Sequence, residues 1–524
     1  MIPPKRTKER YTRTSKACDL CHRKKTRCLK SGSSVSCLRC LALNEPCSLA
    51  PNASETPPST LSQPQTQDFA EMSLRTSLAS ISSDVKEVLR VLRESTLPEP
   101  SSAILDSYEL NMSSRPITTI KTSPLAFVAH VQPETSLFPP AVLNQLNLLP
   151  SLENMQTDIV SVRLLSYDQA AKLLDIFRDR YGRWISFPDT FSTPQLLTHI
   201  RKTCPLLLTV ACALSLKYGD PNLKELVYHE MLLIIKRDLE RSLVNMPKRL
   251  EFLQCLIILS IYSVSLSDES AELRLDGWYL SHIGIHLFLR LNSYGLFEYL
   301  YDPALVQFEF NELTSYRIIN TLVLIHLAYS LLSGKQSSYS LGTLTPKKFY
   351  DHSLSTNFDY RIIAEVEVYL FAYRYLHLGE SLEIVRSQMK GWLSEWEELF
   401  TSSANEFVEI DYHLAELLLI FGENDADLQK VRENAEAYDA AYFHSAEILK
   451  LAVSITDDSY FAFLSDQMHM IIVYNAMVVG TLQQPSDPAV DGLLQHLKNR
   501  YTRIATSEND MASKYSMMLQ SGSR

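Results

Sequence analysis

Six of the nine cysteines, Cys18, Cys21, Cys28, Cys37, Cys40 and Cys47, fall in one short window with the spacing C-x2-C-x6-C-x8-C-x2-C-x6-C. The second half of this pattern repeats the first, which predicts two equivalent metal half-sites. The opening residues MIPPKRTKER lack the apolar stretch of a secretory signal, so the chain is expected to stay inside the cell. Thiols there are kept reduced, and Cys-x2-Cys pairs then favour zinc over disulfides. Two tetrahedral zinc ions need eight coordination positions, which six sulfurs fill only if two thiolates bridge both metals. The expected cofactor is therefore two Zn2+ per chain in a binuclear cluster. Six thiolates and two dications leave a charge of about −2, which Arg23, Lys24, Lys25, Arg27 and Arg39 are placed to neutralise.

The basic residues extend beyond the cluster. Residues 1–47 hold twelve Lys and Arg against Glu9, Asp19 and Glu45, a net charge of +9 on a chain whose total is −10, so the remainder carries −19. A basic head on an acidic body points to a polyanionic partner for the head alone. Lys5, Arg6, Lys8, Arg10, Arg13 and Lys16 form an arm that would add salt-dependent phosphate affinity or serve nuclear import.

The six-cysteine spacing, with Arg23, Lys24, Lys25 and Arg27 inside the first x6, resembles the fungal Zn2Cys6 binuclear zinc cluster. The resemblance implies that Cys18 and Cys37 bridge the metals and that a short helix after Cys18 presents its end to the DNA major groove. It also implies that Lys24 and Lys25 read guanines of a CGG-like half-site. Guanine offers O6 and N7 side by side there, and an ammonium can donate to both. His22, Arg23 and Arg27, with Arg13 and Lys16 from the arm, then become phosphate contacts. The x8 loop lacks the proline usual in the family, and His22 stands where Arg or Lys is common. His22 is not expected among the ligands, because six thiolates saturate two zincs.

The remaining chain must carry and position this head. Taking residues 1–16 as a basic arm and 17–48 as the DNA-binding module, residues 49–70 are rich in Ser, Thr, Pro and Gln and read as a flexible linker. In segment 71–96, Leu74, Leu78, Ile81, Val85, Val88 and Leu92 recur at heptad spacing, predicting a short coiled coil that pairs two modules on two half-sites. An amphipathic helix lying on the body is the plainer reading of the same pattern. Residues 97–157 form a second, disordered linker. From 158 to 515, segments such as Asp168–Tyr181, Leu223–Val244, Glu251–Ser263 and Tyr316–Ser333 show the helical period, with Thr193 expected to cap a helix that begins at Pro194. Residues 516–524 are left as a tail. The fold class is thus a small metal-stabilised module, a short coiled coil and a large all-α domain.

Within the body, Phe187–Tyr218, Arg249–Ser263, Leu275–Leu291 and Ser315–Lys335 resemble segments of the fungal-specific transcription factor domain, which implies a helical regulatory domain that receives a metabolic signal or a partner. No phosphate loop, Gly-x-Ser-x-Gly elbow or His-Glu-x-x-His motif is found, so an enzyme is not expected. His282 and His286 lie one turn apart but lack the general-base Glu, and read as core or interface histidines. Cys204, Cys212 and Cys255 read as small hydrophobes in apolar helices. The apolar stretches fall short of a membrane-spanning length. Gly391–Leu418 mixes tryptophan and phenylalanine with acids, as an activation segment would, although amphipathic helices with solvated acidic faces give the same composition.

These features lead to a nuclear, sequence-specific regulator of RNA polymerase II transcription. Its expected partners are double-stranded DNA, a second copy or a related zinc cluster protein, the transcription machinery and a small-molecule effector, with no membrane. The rival is a metabolite-binding or catalytic helical protein whose zinc module only tethers, mediates protein contacts or stores metal.

Overall fold

The computed structural model describes residues 12–13, 17–23, 28–30, 37, 40, 47–48, 158–293, 308–348, 354–401, 406–483 and 487–521. The chain divides into two units, Met1–Ser107 and Tyr108–Arg524. Lys16, Lys24, Lys25, Arg27, the heptad residues Leu74, Leu78, Ile81, Val85, Val88 and Leu92, and both expected linkers lie outside the described residues.

In the first unit, β1 (Thr12–Arg13) pairs antiparallel with β2 (Leu29–Lys30), and α1 (Asp19–Arg23) lies between them in sequence. These pieces are far too small to bury an apolar core. What they enclose is sulfur, with all six window cysteines forming one buried cluster.

The second unit is built almost wholly of helices among its described residues. Its longer ones are α2 (Tyr167–Arg180), α3 (Thr193–Thr203), α4 (Pro205–Lys217), α5 (Pro221–Asn245), α6 (Leu250–Ile261), α7 (Gly277–Ser293), α8 (Phe308–Ser333), α9 (Asn357–Leu378), α10 (Leu382–Glu395), α11 (Glu406–Glu423), α12 (Ala435–Ser454), α13 (Asp466–Leu482), α14 (Pro488–Ile504) and α15 (Met511–Ser521). Local signals start several of them. Ser166 and Gln169 form a reciprocal capping box on α2. The cap of α3 is Ser192, one residue earlier than expected, because Gln195 reaches back to accept from Ser192 N at 2.9 Å. Pro194 then occupies the second helical position, where its missing N–H costs nothing.

Helices α4 and α6 are buried along every residue, as their largely apolar composition requires. From α6 onward, α7, α8, α9, α11, α12 and α13 pack mainly on successive neighbours, with α13 returning to α8. Helix α8 corrects one expectation. Phe310–Ser333 is long and apolar enough to cross a membrane, yet 83% of its apolar window is buried within this unit. Two of its central polar interruptions are satisfied internally: Asn320 exchanges hydrogen bonds with Lys347 backbone, and His326 sits between Ser281 and Ser337. The last helix, α15, runs past the expected boundary at 515 because Leu519 is buried.

Two glycines set how closely α7 meets its neighbours. A Cβ on Gly277 would stand 2.3 Å from the Tyr329 ring and 2.7 Å from Ser260 O, and one on Gly284 would stand 2.5 Å from Leu322. The Tyr329 ring cannot swing aside freely, since its hydroxyl is hydrogen-bonded to Ser263 Oγ at 2.8 Å and donates to Ser260 O at 3.1 Å. Gly277→Ala is therefore expected to cost about 1–3 kcal/mol by overpacking. Urea unfolding of the full chain checks this, and an unchanged midpoint would mean that the ring does yield.

Candidate metal centre

The cysteine cluster is shaped by the turns that carry each pair. Cys21 N–H points at Cys18 Sγ at 3.4 Å, and Cys40 N–H at Cys37 Sγ at 3.4 Å, the same contact in both Cys-x2-Cys pairs. Cys37 N–H approaches Cys47 Sγ at 3.3 Å, and Asp19 N–H donates to Ser48 Oγ at 2.9 Å, tying the start of α1 to the far end of the module.

The sulfurs of Cys18, Cys21, Cys37 and Cys40 all lie within 4.8 Å of one another. Cys18 Sγ is 3.6 Å from Cys40 Sγ and 3.7 Å from Cys37 Sγ, while Cys21 Sγ is 3.8 Å from Cys37 Sγ. Zinc–sulfur bonds of about 2.3 Å at tetrahedral angles place sulfurs about 3.8 Å apart, so this donor set fits zinc. Cys28 and Cys47 are buried in the same cluster, and none of the nine cysteines is in a disulfide. Burial pushes the Cys21 thiol up to about 12, with hydrogen bonds to Cys18 and Cys37 adding to it, and raises Cys37 and Cys40 as well. Thiolates packed this closely need cationic charge among them.

Around the sulfurs, α1 exposes His22 and Arg23 at its carboxyl end, and Arg13 lies in β1. His22 is directed to solvent rather than to the cluster.

The other sequence candidates are dispersed through the helical unit. His282 packs against Tyr339, with ring centroids 4.6 Å apart, and against Trp278 at 5.7 Å, whereas His286 is exposed. They share no site. Cys204, Cys212 and Cys255 are buried, and burial raises the Cys212 thiol. In Gly391–Leu418, Trp392, Trp396 and Phe407 are buried, and the two indoles donate to Ala364 O and Glu367 Oε2. These aromatic anchors are core side chains, so the composition there is that of amphipathic helices in a folded body.

The profile of the fungal Zn(2)-Cys(6) binuclear cluster domain matches residues 16–57, which makes the head a zinc-binding module of the kind carried by fungal transcription regulators. Over the helical unit, residues 163–521 match the profile described as the transcriptional activator of proteases prtT middle domain. That match spans more than half of the chain, and the chain belongs to this family. It is similar to proteins named transcriptional activator of proteases prtT. The Aspergillus clavatus relative is 24% identical over 95% of this chain and 79% of its own length. The Penicillium rubens relative is 24% identical over 98% and 79%, and that of Aspergillus niger 21% over 98% and 80%. No solved structure matches.

Proposed function

We propose that the chain is a nuclear, dimeric transcription regulator that reads paired CGG-like half-sites with Lys24 and Lys25, while Cys18, Cys21, Cys28, Cys37, Cys40 and Cys47 hold two zinc ions. The observation that carries this reading is the sulfur cluster with tetrahedral spacing beneath the exposed end of α1. Cys18 and Cys37 each approach two sulfurs of the other half, where Cys21 and Cys40 approach one, which supports the first pair as the shared thiolates. His22, Arg23, Arg27, Arg13 and Lys16 contact phosphates and fix the register of the module. The heptad residues Leu74 to Leu92 join two copies, because one small module neutralises few phosphates. The helical body receives a metabolic signal, and the names of the relatives support protease genes as targets and activation as the sign of control.

A random duplex library at physiological salt, offered to the full chain and to Lys25→Ala, tests this. Wild type is expected to enrich sites with two half-sites. The variant should lose preference at one base position in each, at a cost of about 1–3 kcal/mol. A uniform loss across all sequences would instead make Lys25 a phosphate contact, and enrichment of single half-sites would remove the dimer.

A further inference from the structure

Helices α11 and α12 pack along one another, and each turns one imidazole toward the other. His413 Nδ1 lies 2.8 Å from His444 Nδ1. Both residues are half-buried, so the pair is held by the fold yet stays within reach of solvent. Aromatic neighbours fix the two rings. Tyr412 lies 5.5 Å from His413 and 6.4 Å from His444, and the exposed Phe443 lies 5.9 Å and 5.2 Å from the same rings, all in T-shaped contacts.

Two neutral imidazoles that meet through the same nitrogen must differ in tautomer, one carrying its proton on Nδ1 and the other on Nε2. A cation between them lifts that requirement. Both Nδ1 lone pairs then point inward and both protons sit on Nε2 atoms, neither of which is sealed in the interior. Burial lowers His444 to about 4, with His413 adding to the shift and Glu447 opposing it, and burial lowers His413 with Glu447 opposing. Both rings are therefore neutral near pH 7, the form that ligates metal. Glu447, one turn beyond His444 on α12, is the carboxylate that acts on both. Its Oε1 accepts from Lys450 Nζ at 2.6 Å, and its Oε2 receives no hydrogen bond among the described residues.

The spacing of the two nitrogens selects a coordination geometry. Metal–nitrogen bonds of about 2.0 Å set two ligands about 2.8 Å apart at a right angle and about 3.3 Å apart at the tetrahedral angle. Right-angle positions with imidazole ligands suit copper(II) and nickel(II) rather than four-coordinate zinc. We propose that His413 and His444 hold one divalent copper or nickel ion through their Nδ1 atoms, with Glu447 offsetting its charge and water filling the open positions. The ion is additional to the zinc of the cysteine cluster, and the site stands whether or not the body receives a metabolic signal.

Nickel(II) is the probe, because copper(II) would oxidise the cluster thiolates. Native mass spectrometry of the zinc-loaded full chain, incubated with nickel chloride and desalted, should show one nickel beside the full zinc complement. Isothermal titration should give saturable nickel binding that His413→Gln and His444→Gln each weaken by about tenfold or more. Glutamine keeps a hydrogen-bonding group beside the remaining ring, and melting followed by circular dichroism without nickel shows that each variant folds. Nickel should raise the melting temperature of the helical unit in wild type and leave both variants unchanged. Absence of nickel from wild type would mean that the two rings only share a proton, which overturns the site. Nickel taken up at the expense of zinc, or held equally by both variants, would place the metal elsewhere and overturn it too.

Discussion

Stripping the metal with a chelator is expected to disorder residues 17–48 and lower affinity for an enriched duplex by at least about 10³-fold, to the non-specific level. Among its described residues the module buries six sulfurs and no other apolar core. Its order must come from coordination, and structural zinc in small domains supplies about 10–16 kcal/mol. The helical unit has a separate, extensive hydrophobic core, so its melting by circular dichroism should be unchanged. Native mass spectrometry should count two zincs before chelation and none after. A single zinc in the intact protein would rule out shared thiolates, and a chelated chain that still selects its site would detach DNA reading from the metal.

Acid should separate wild type from His469→Gln. Burial lowers His469 to about 3, with Lys217 adding to the shift and Asp510 opposing it, and burial lowers His326 to about 4 with His282 adding to it. In the unfolded chain both return to about 6.5. Below that pH the unfolded state takes up protons that the fold refuses, so these residues subtract stability as the pH falls from 6.5 toward their folded values, by up to about 1.4 kcal/mol per unit each. Buried Glu365 and Asp411 act in the opposite sense, since burial raises both and the fold holds their protons where the unfolded chain has released them. The informative quantity is therefore the difference between the two proteins. The glutamine side chain in the variant keeps a polar partner for the Tyr501 hydroxyl, which lies 3.2 Å from His469 Nδ1. Between pH 7 and pH 4 the stability difference should move by about 3 kcal/mol in favour of His469→Gln. Parallel curves from denaturant titrations at each pH would show that His469 is protonated in the fold.

Helix positions are largely legible from periodicity because burial repeats with the turn of the helix. The period predicts Asp168–Tyr181 where Tyr167–Arg180 is found, and Leu223–Val244 where Pro221–Asn245 is found. It places the start of α8 eight residues too late, since Phe308–Ser315 mixes acids with Asn311, Thr314 and Ser315, polar residues that the fold buries. Charge pairs between distant helices give no comparable signal. Lys217 looks like an exposed basic residue in the last turn of α4, and its burial depends on Asp510, nearly three hundred residues later. In the same way Arg317 pairs with Asp359 at 2.6 Å across two helices, although neither position is marked locally.

By itself the sequence determined the zinc head. All six sulfurs lie in one short segment, and their paired spacing marks a metal-binding module whatever the rest of the chain does. It also determined that the body is helical, because a 3.6-residue repeat of apolar side chains needs only its own turns to be recognised. Only the tertiary structure decided which helices meet, that the long apolar α8 is interior, and that Lys217, Lys224, Thr506 and Asp510 come together. Those outcomes follow from packing between distant elements, where a single glycine or a buried charge selects one arrangement and leaves no periodic trace along the chain.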